Sequence, residues 1–356
     1  MFVTIALYAA LFTELTDRDL LIGMQSARER VYSGEFHAAG RIVDDDPATG
    51  LLQGDAAIEG AFDHRIGTVR FDRKEPFRES TRRDQKNNIL VPVSADDWTP
   101  GSMQIRFFLT PEKLAFWSSF GKNSVMIRSP DDYQPAQFAR ICDVRGIGCI
   151  SGGDFRDGMT LSKLFSGLQA YTTESVVRET DSIYRWTSYR KSKIFTQRRL
   201  WIDISKDFAP VRYEVRWNLA GKEEGIADAQ PVIESHTTWQ KAADVWVPQS
   251  FSSRDAAATS GSVYQIDLSF EWTRINGEVR EELLQEESLV KDVYAVVTDS
   301  RLGKPVIVKH LNYGSSNYTK TAEVSHRQGY LIFANVIGIL FAMLAWRIGS
   351  KGKTTS

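Results

Sequence analysis

The sequence predicts a mainly β protein of the α+β class, in which amphipathic helices cover a large curved antiparallel sheet and one transmembrane helix follows. Three observations lead to this prediction. Several long segments alternate apolar and polar residues with period two, which is typical of strands. Two segments carry an apolar stripe at helical spacing. Near the C-terminus, an apolar run of membrane-spanning length ends in a short basic tail.

The clearest strand spans residues 264–272. Its apolar positions are every second residue, namely Tyr264, Ile266, Leu268, Phe270 and Trp272. The residues between them are polar, so this strand has one apolar face and one polar face. The same alternation recurs in 211–218 and in 103–109. Successive strands joined by short turns predict an antiparallel meander.

Two helices are predicted. The first runs over 17–32, with Thr16 as N-cap and Asp19 completing a start that resembles a capping box. The second runs over 161–171 behind Thr160 and has apolar residues at i, i+3, i+4 and i+7. Because each helix is apolar on one side, we expect both to lie against the sheet.

The C-terminal run is predicted to cross a membrane. It contains one strongly polar residue, Asn335, and is bounded by Tyr330 and Trp346, which suit the two membrane interfaces. The basic tail after it favours a cytoplasmic C-terminus and a body outside the cytoplasm. The apolar N-terminus is then expected to be an atypical or truncated signal segment, the alternative being a buried first segment.

These features divide the chain into six segments. They are a signal-like segment (1–13), a main domain (16–290), a small β-hairpin (291–311), a stalk (312–328), the membrane span (329–348) and a basic tail (349–356). The formal net charge of the whole chain is −1. A nucleic-acid binder normally carries a basic excess, so no nucleic-acid partner is expected.

The residues that commonly carry chemistry are sparse. The five histidines are scattered, and neither a nucleotide-binding loop nor a hydrolase nucleophile motif is present in the sequence. Cys142 and Cys149 lack nearby histidines and would form a poor zinc site. In an oxidising compartment they are expected to form a disulfide, the alternative being two free buried thiols. We therefore expect no enzyme activity, no cofactor and no metal.

The order of these elements resembles a known superfamily. A helix leading into ARERVYSGEFHAAGRI precedes the long strands, and a hairpin follows in which LWID (Leu200–Asp203) turns and re-enters with FAPVRYE (Phe208–Glu214). This pattern resembles the LolA-like superfamily over residues 16–277. The resemblance implies a half-barrel of the kind found in bacterial periplasmic lipoprotein carriers and in an envelope-stress sensor. It also implies a place in the bacterial cell envelope.

The aromatic residues of the inner strand faces suggest the function. The candidate ligand-lining residues are Phe107, Tyr213, Trp217, Tyr264, Ile266, Leu268, Phe270 and Trp272. Such a face is either left open as an apolar cleft for acyl chains or filled by helices. The leading hypothesis is a membrane-anchored extracytoplasmic protein that contacts membrane lipids and holds a lipid or lipoprotein acyl chain. The alternative is an envelope sensor or scaffold that binds another protein and no small ligand.

Overall fold

The computed structural model describes most of the chain between residues 15 and 312. The described ranges are 15–79, 81–84, 89–92, 99–119, 124–130, 141–192, 194–218, 223, 225–226, 228–256, 260–290, 294–301 and 305–312. The helices are α1 (Asp17–Glu29), α2 (Gly152–Asp157) and α3 (Leu161–Gln169). The strands are β1 (Ser33–Asp46), β2 (Gly50–Asp63), β3 (Thr68–Glu79), β4 (Thr81–Asp84), β5 (Ile89–Pro92), β6 (Thr99–Leu109), β7 (Leu114–Ser118), β8 (Ser124–Arg128), β9 (Thr172–Arg178), β10 (Ile183–Arg190), β11 (Phe195–Asp203), β12 (Ala209–Asn218), β13 (Ile233–Ala242), β14 (Val245–Ala256), β15 (Val263–Ile275), β16 (Tyr294–Asp299) and β17 (Val306–Asn312).

Fifteen of these strands form one open curved sheet. Its order is β17-β16-β8-β7-β6-β3-β2-β1-β15-β14-β13-β12-β11-β10-β9, and β4 and β5 form a separate pair. The first strand pairs with both β2 and β15, so it joins an N-terminal meander to a C-terminal one. The predicted class, mainly β with one large sheet and few helices, is confirmed.

The helix starts follow the sequence signals. Thr16 and Asp19 form a reciprocal capping box at the start of α1, and the Thr160 hydroxyl accepts a hydrogen bond from the Lys163 amide at the start of α3. The buried side of α1 consists of Leu20, Met24 and Ala27, with Arg28 at its end. The short helix α2 was not predicted.

The sheet carries a different cover on each face. We call the face under the three helices the inner face; its core contains residues from the helices and from both meanders. On the opposite face, a smaller core joins Phe108 and Trp117 to Leu289 and Val297. Residues 280–290 cross this outer face, where Arg70 donates to the Ser288 hydroxyl at 2.6 Å.

The two strands expected in 291–311 are β16 and β17, which extend the main sheet at its edge. β16 pairs with β8 in parallel, while β17 pairs with β16 in antiparallel. Among the helices that the structure describes, none is long and apolar enough to span a membrane. The predicted signal segment (1–13), the segment 313–328, the span with Tyr330, Asn335 and Trp346, and the tail lie outside the described residues.

Leu268 is buried on the inner face of β15, so its packing can be tested by a substitution that shortens the side chain. We expect Leu268→Ala to lower the free energy of unfolding by about 2–5 kcal/mol, because the lost side chain leaves a void. Leu51→Ala is the matched control, since Leu51 is 57% exposed on β2. Urea denaturation of both variants measures the difference. Equal small losses would show that the β15 face is not packed.

Candidate ligand-binding cavity

The structure brings the eight candidate lining residues together in a packed hydrophobic core and not around a cavity. Six of them are buried, namely Phe107, Tyr213, Tyr264, Ile266, Leu268 and Phe270. Trp217 and Trp272 are partly buried against the same core. The aromatic ring of Phe155 on α2 fills this region. Its centroid lies 5.8 Å from that of the Phe251 ring and 6.5 Å from that of the Phe71 ring. Over this part of the inner face, the interior is filled.

A cavity of about 380 Å³ remains at the other side of the inner face. It lies between the strands β1 to β3 and the segment 141–162, and its volume falls in the range of small-molecule sites. Its apolar wall is formed by Phe36, Phe62, Val69, Phe71, Leu109, Ile141, Cys142, Val144 and Leu161. None of the eight residues predicted to line a ligand site is part of this wall. The cavity wall and the eight predicted lining residues are therefore different sets of side chains on the inner face.

Two glycines help to shape the space. The Phe36 ring lies directly over Gly60 on the neighbouring strand, where any side chain would overlap it. Gly148 has a φ of 94° and lies so close to Pro210 that an added Cβ would be 2.6 Å from the Pro210 carbonyl oxygen. This close approach holds the segment 141–150 against β12. The space over β1 to β3 is then left open.

One part of the cavity lining is polar. Arg145 binds Asp143 through two hydrogen bonds, of 2.9 Å from Nε and 2.7 Å from Nη2. Burial opposes ionisation of Asp143, but the hydrogen bonds and charge of Arg145 outweigh it and lower the pKa of the carboxyl group. Thr160 and Ser162, at the start of α3, also line the cavity. This part can therefore offer hydrogen bonds from a charge pair that is already neutralised.

His64 also lines the cavity, from the turn between β2 and β3. Its ring centroid lies 4.9 Å from that of Phe62. Burial lowers the pKa of His64 and outweighs the opposing attraction of Asp143 and Asp63. The imidazole is therefore held in its neutral form near neutral pH.

The predicted disulfide between Cys142 and Cys149 is not formed. Cys142 and Cys149 are free, buried thiols in the structure. Their surroundings differ, because Cys142 lies near Asp143 at the cavity whereas Cys149 is close to Arg28 and Arg198. Burial raises the pKa of both thiols, that of Cys149 to about 12. Both thiol groups are therefore protonated at neutral pH.

The comparisons with known proteins do not assign the chain to a family. No family model matches the sequence, and no curated protein matches it. A DUF1329 family protein from Desulfovibrio piger is similar in structure, with a TM-score of 0.40, 10% identity, and coverage of 76% of this chain and 96% of that one. A LolA superfamily protein from Nitrosomonas europaea gives a TM-score of 0.35 and 12% identity over 78% of this chain and all of that one. Similarity at this level is too low to support a functional conclusion.

The buried imidazole predicts a pH effect. Below the ordinary histidine pKa of about 6.5, the unfolded chain binds a proton that the folded chain accepts less readily. His64 thus contributes stability above that pH, and the contribution is lost as the pH falls. Between about pH 7.5 and pH 5.5, we expect the fall in unfolding free energy to be smaller in His64→Gln than in the wild type.

Urea denaturation at the two pH values measures this fall. The control is Leu51→Gln, because Leu51 is exposed on β2 and the substitution removes no ionisable group; this variant should keep the wild-type pH dependence. If His64→Gln also keeps it, the imidazole does not have the buried environment described here.

Proposed function

We propose that this protein is a membrane-anchored binding protein of the bacterial envelope that holds one acyl chain in the cavity between β1–β3 and the segment 141–162. The observation that carries the proposal is an apolar cavity, partly enclosed, whose polar groups are few. Ligand sites in proteins generally have this character. The sequence of residues 329–356 supports the membrane anchor, and the resemblance of residues 16–277 to the LolA-like superfamily supports the location in the bacterial envelope.

The cavity wall suits a narrow apolar chain. Phe36, Phe62 and Phe71 supply aromatic faces, and aliphatic residues complete the wall. Burying one methylene group contributes about 0.8 kcal/mol, so eight of them contribute roughly 6 kcal/mol before the costs of association. Affinities in the micromolar range need about 8 kcal/mol. Eight methylene groups alone therefore fall short of micromolar affinity, and the difference has to come from a longer chain and from polar contacts of the head group.

The polar part of the lining favours a particular head group. Arg145 is bound bidentately by Asp143, so its charge is compensated before any ligand enters. An ester, amide or hydroxyl group can still form hydrogen bonds with this pair and with the hydroxyl groups of Thr160 and Ser162. A free carboxylate would meet Asp143 as well as Arg145. The proposed ligand is therefore an esterified or amide-linked acyl chain rather than a free fatty acid.

The test is to fill the cavity from one wall. Val69 is partly buried on β3 and lines the cavity, so Val69→Phe places a ring where the chain would lie. If the ring displaces two methylene groups, affinity falls about tenfold. A fluorescent acyl ester titrated into the full chain in mild detergent measures the dissociation constant. Val177→Phe is the matched control, because Val177 is an exposed strand valine on β9.

Each outcome of this titration decides between functions. Saturable wild-type binding that weakens in Val69→Phe but not in Val177→Phe supports the proposal. No saturable binding by the wild type would favour the alternative, an envelope sensor or scaffold with no small ligand. Equal binding by both variants would place the ligand elsewhere. Far-UV circular dichroism confirms that Val69→Phe is folded.

A further inference from the structure

Exposed apolar side chains collect at one end of the N-terminal meander. Ile66 in the turn between β2 and β3 is 58% exposed, and Val306, Ile307 and Val308 at the start of β17 are 46–57% exposed. Three adjacent exposed aliphatic residues are unusual on a soluble surface, where single ones are common. We call these four residues the apolar rim.

The strand register shows that the rim lies at one end of the sheet. Val69, three residues after Ile66, pairs with Leu109, which pairs with Leu114. Leu114 pairs with Arg128 on β8. Ile127, the residue before Arg128, pairs with Asp299 on β16. Asp299 pairs in turn with Val306. Five spacings of about 4.8 Å separate β3 from β17, so the rim extends over roughly 24 Å.

The proposed ligand cavity lies at the same end. Gly67, Val69, Leu109 and Pro130 all line it, and each belongs to a strand end or turn on the path between β3 and β8. The opposite end of β2 is far away, because Leu51 and Asp63 are 12 positions apart along the strand, a length of about 40 Å. Any surface that covers the rim would therefore also lie close to the cavity.

The form of β17 favours a fluid partner over another strand. Val297 pairs with Lys309 and Thr298 pairs with Ile307, so Val308 is an extra residue in a β-bulge. Bulges interrupt the regular row of hydrogen-bonding groups that an added strand requires. An apolar patch on an irregular edge suits a partner without fixed hydrogen-bond geometry.

The sequence around the patch is basic. Residues 299–312 contain Arg301, Lys304 and Lys309 and one acidic residue, Asp299, which forms an ion pair with Arg301 at 2.6 Å. Because this pair is neutral as a whole, the net charge of the segment comes from Lys304 and Lys309. Each such charge near an anionic membrane surface contributes about 1 kcal/mol of attraction. The apolar side chains and these charges together match the interface of an anionic bilayer.

The predicted tether permits this contact. Asn312 lies about 20 Å from the rim, because β17 extends six residues beyond Val306. Seventeen residues lie between Asn312 and Tyr330, where the predicted membrane span begins. At about 3.5 Å per residue they reach at most roughly 60 Å. The chain can therefore return to the membrane while the rim lies on it.

We infer that the apolar rim docks on the surface of an anionic bilayer and turns the cavity toward the lipids. This inference rests on the proposed function, since it assigns the route by which an acyl chain enters. Ile66 and Ile307 penetrate the interface, and the far end of β2 at Leu51 faces away from it.

The test measures the environment of labels on the full chain in vesicles. Ile66→Cys and Ile307→Cys carry a polarity-sensitive fluorophore, and Leu51→Cys is the control with equal exposure (57%) at the far end. In the folded protein, the fluorophore should react only with the introduced cysteine, because Cys142 and Cys149 are buried. Vesicles contain phosphatidylcholine alone or with phosphatidylglycerol, and a quencher on the acyl chains reports contact.

We expect blue-shifted, quenched emission from the labels at 66 and 307 in the anionic vesicles, and solvent-like emission from the label at 51. Solvent-like emission from all three labels on vesicle-bound protein would overturn the inference. A shift at 307 that depends on protein concentration and not on lipid would also overturn it, indicating pairing with a second copy. Failure of the chain to float with vesicles would instead contradict the proposed anchor, and the acyl titration tests the ligand separately.

Discussion

An open sheet of fifteen strands with an apolar inner face is stable in water only if that face is covered, and this requirement organises the whole molecule. The cover comes from the segment between the two meanders, 141–171, together with α1. It fills the face over the C-terminal meander and reaches Arg73 on β3, but it leaves space beside Phe36, Phe62 and Val69. The cavity exists because the cover is smaller than the face.

Charged side chains hold the cover in place. At the start of α2, the Asp255 carboxylate accepts hydrogen bonds from the amides of Gly152 and Gly153, of 3.1 and 2.7 Å. Near its end, Arg73 donates to the carbonyl group of Arg156 at 3.2 Å and forms an ion pair with Glu75 at 2.7 Å. Asp255 is on β14 and Arg73 on β3, so both meanders hold this helix. The helix α2 lies in the chain between the two parts of the cover that line the cavity, 141–145 and 160–162.

The sequence predicted most elements of the fold but not the short helix α2 that covers the sheet, for a physical reason. Alternation over 264–272 shows which side of β15 is apolar, and the structure confirms its burial. Alternation cannot show what covers that side. The cover contains α2, whose six residues are too few for a helical period. Val69 and Phe71 do alternate with Arg70 and Asp72, so this signal for the cavity wall was present in the sequence. The spacing of Cys142 and Cys149 was equally compatible with a disulfide and with the two separate thiols observed.

The central claim is that an acyl chain occupies the space that the cover leaves open. The most direct measurement is crystallography of the full chain with an acyl ester brominated at the chain end, using the anomalous signal of bromine. The account predicts a bromine peak between the strands β1 to β3 and the segment 141–162, beside Phe71 and Leu161. A cavity without bromine, in crystals where the ester is bound elsewhere on the protein, would contradict it.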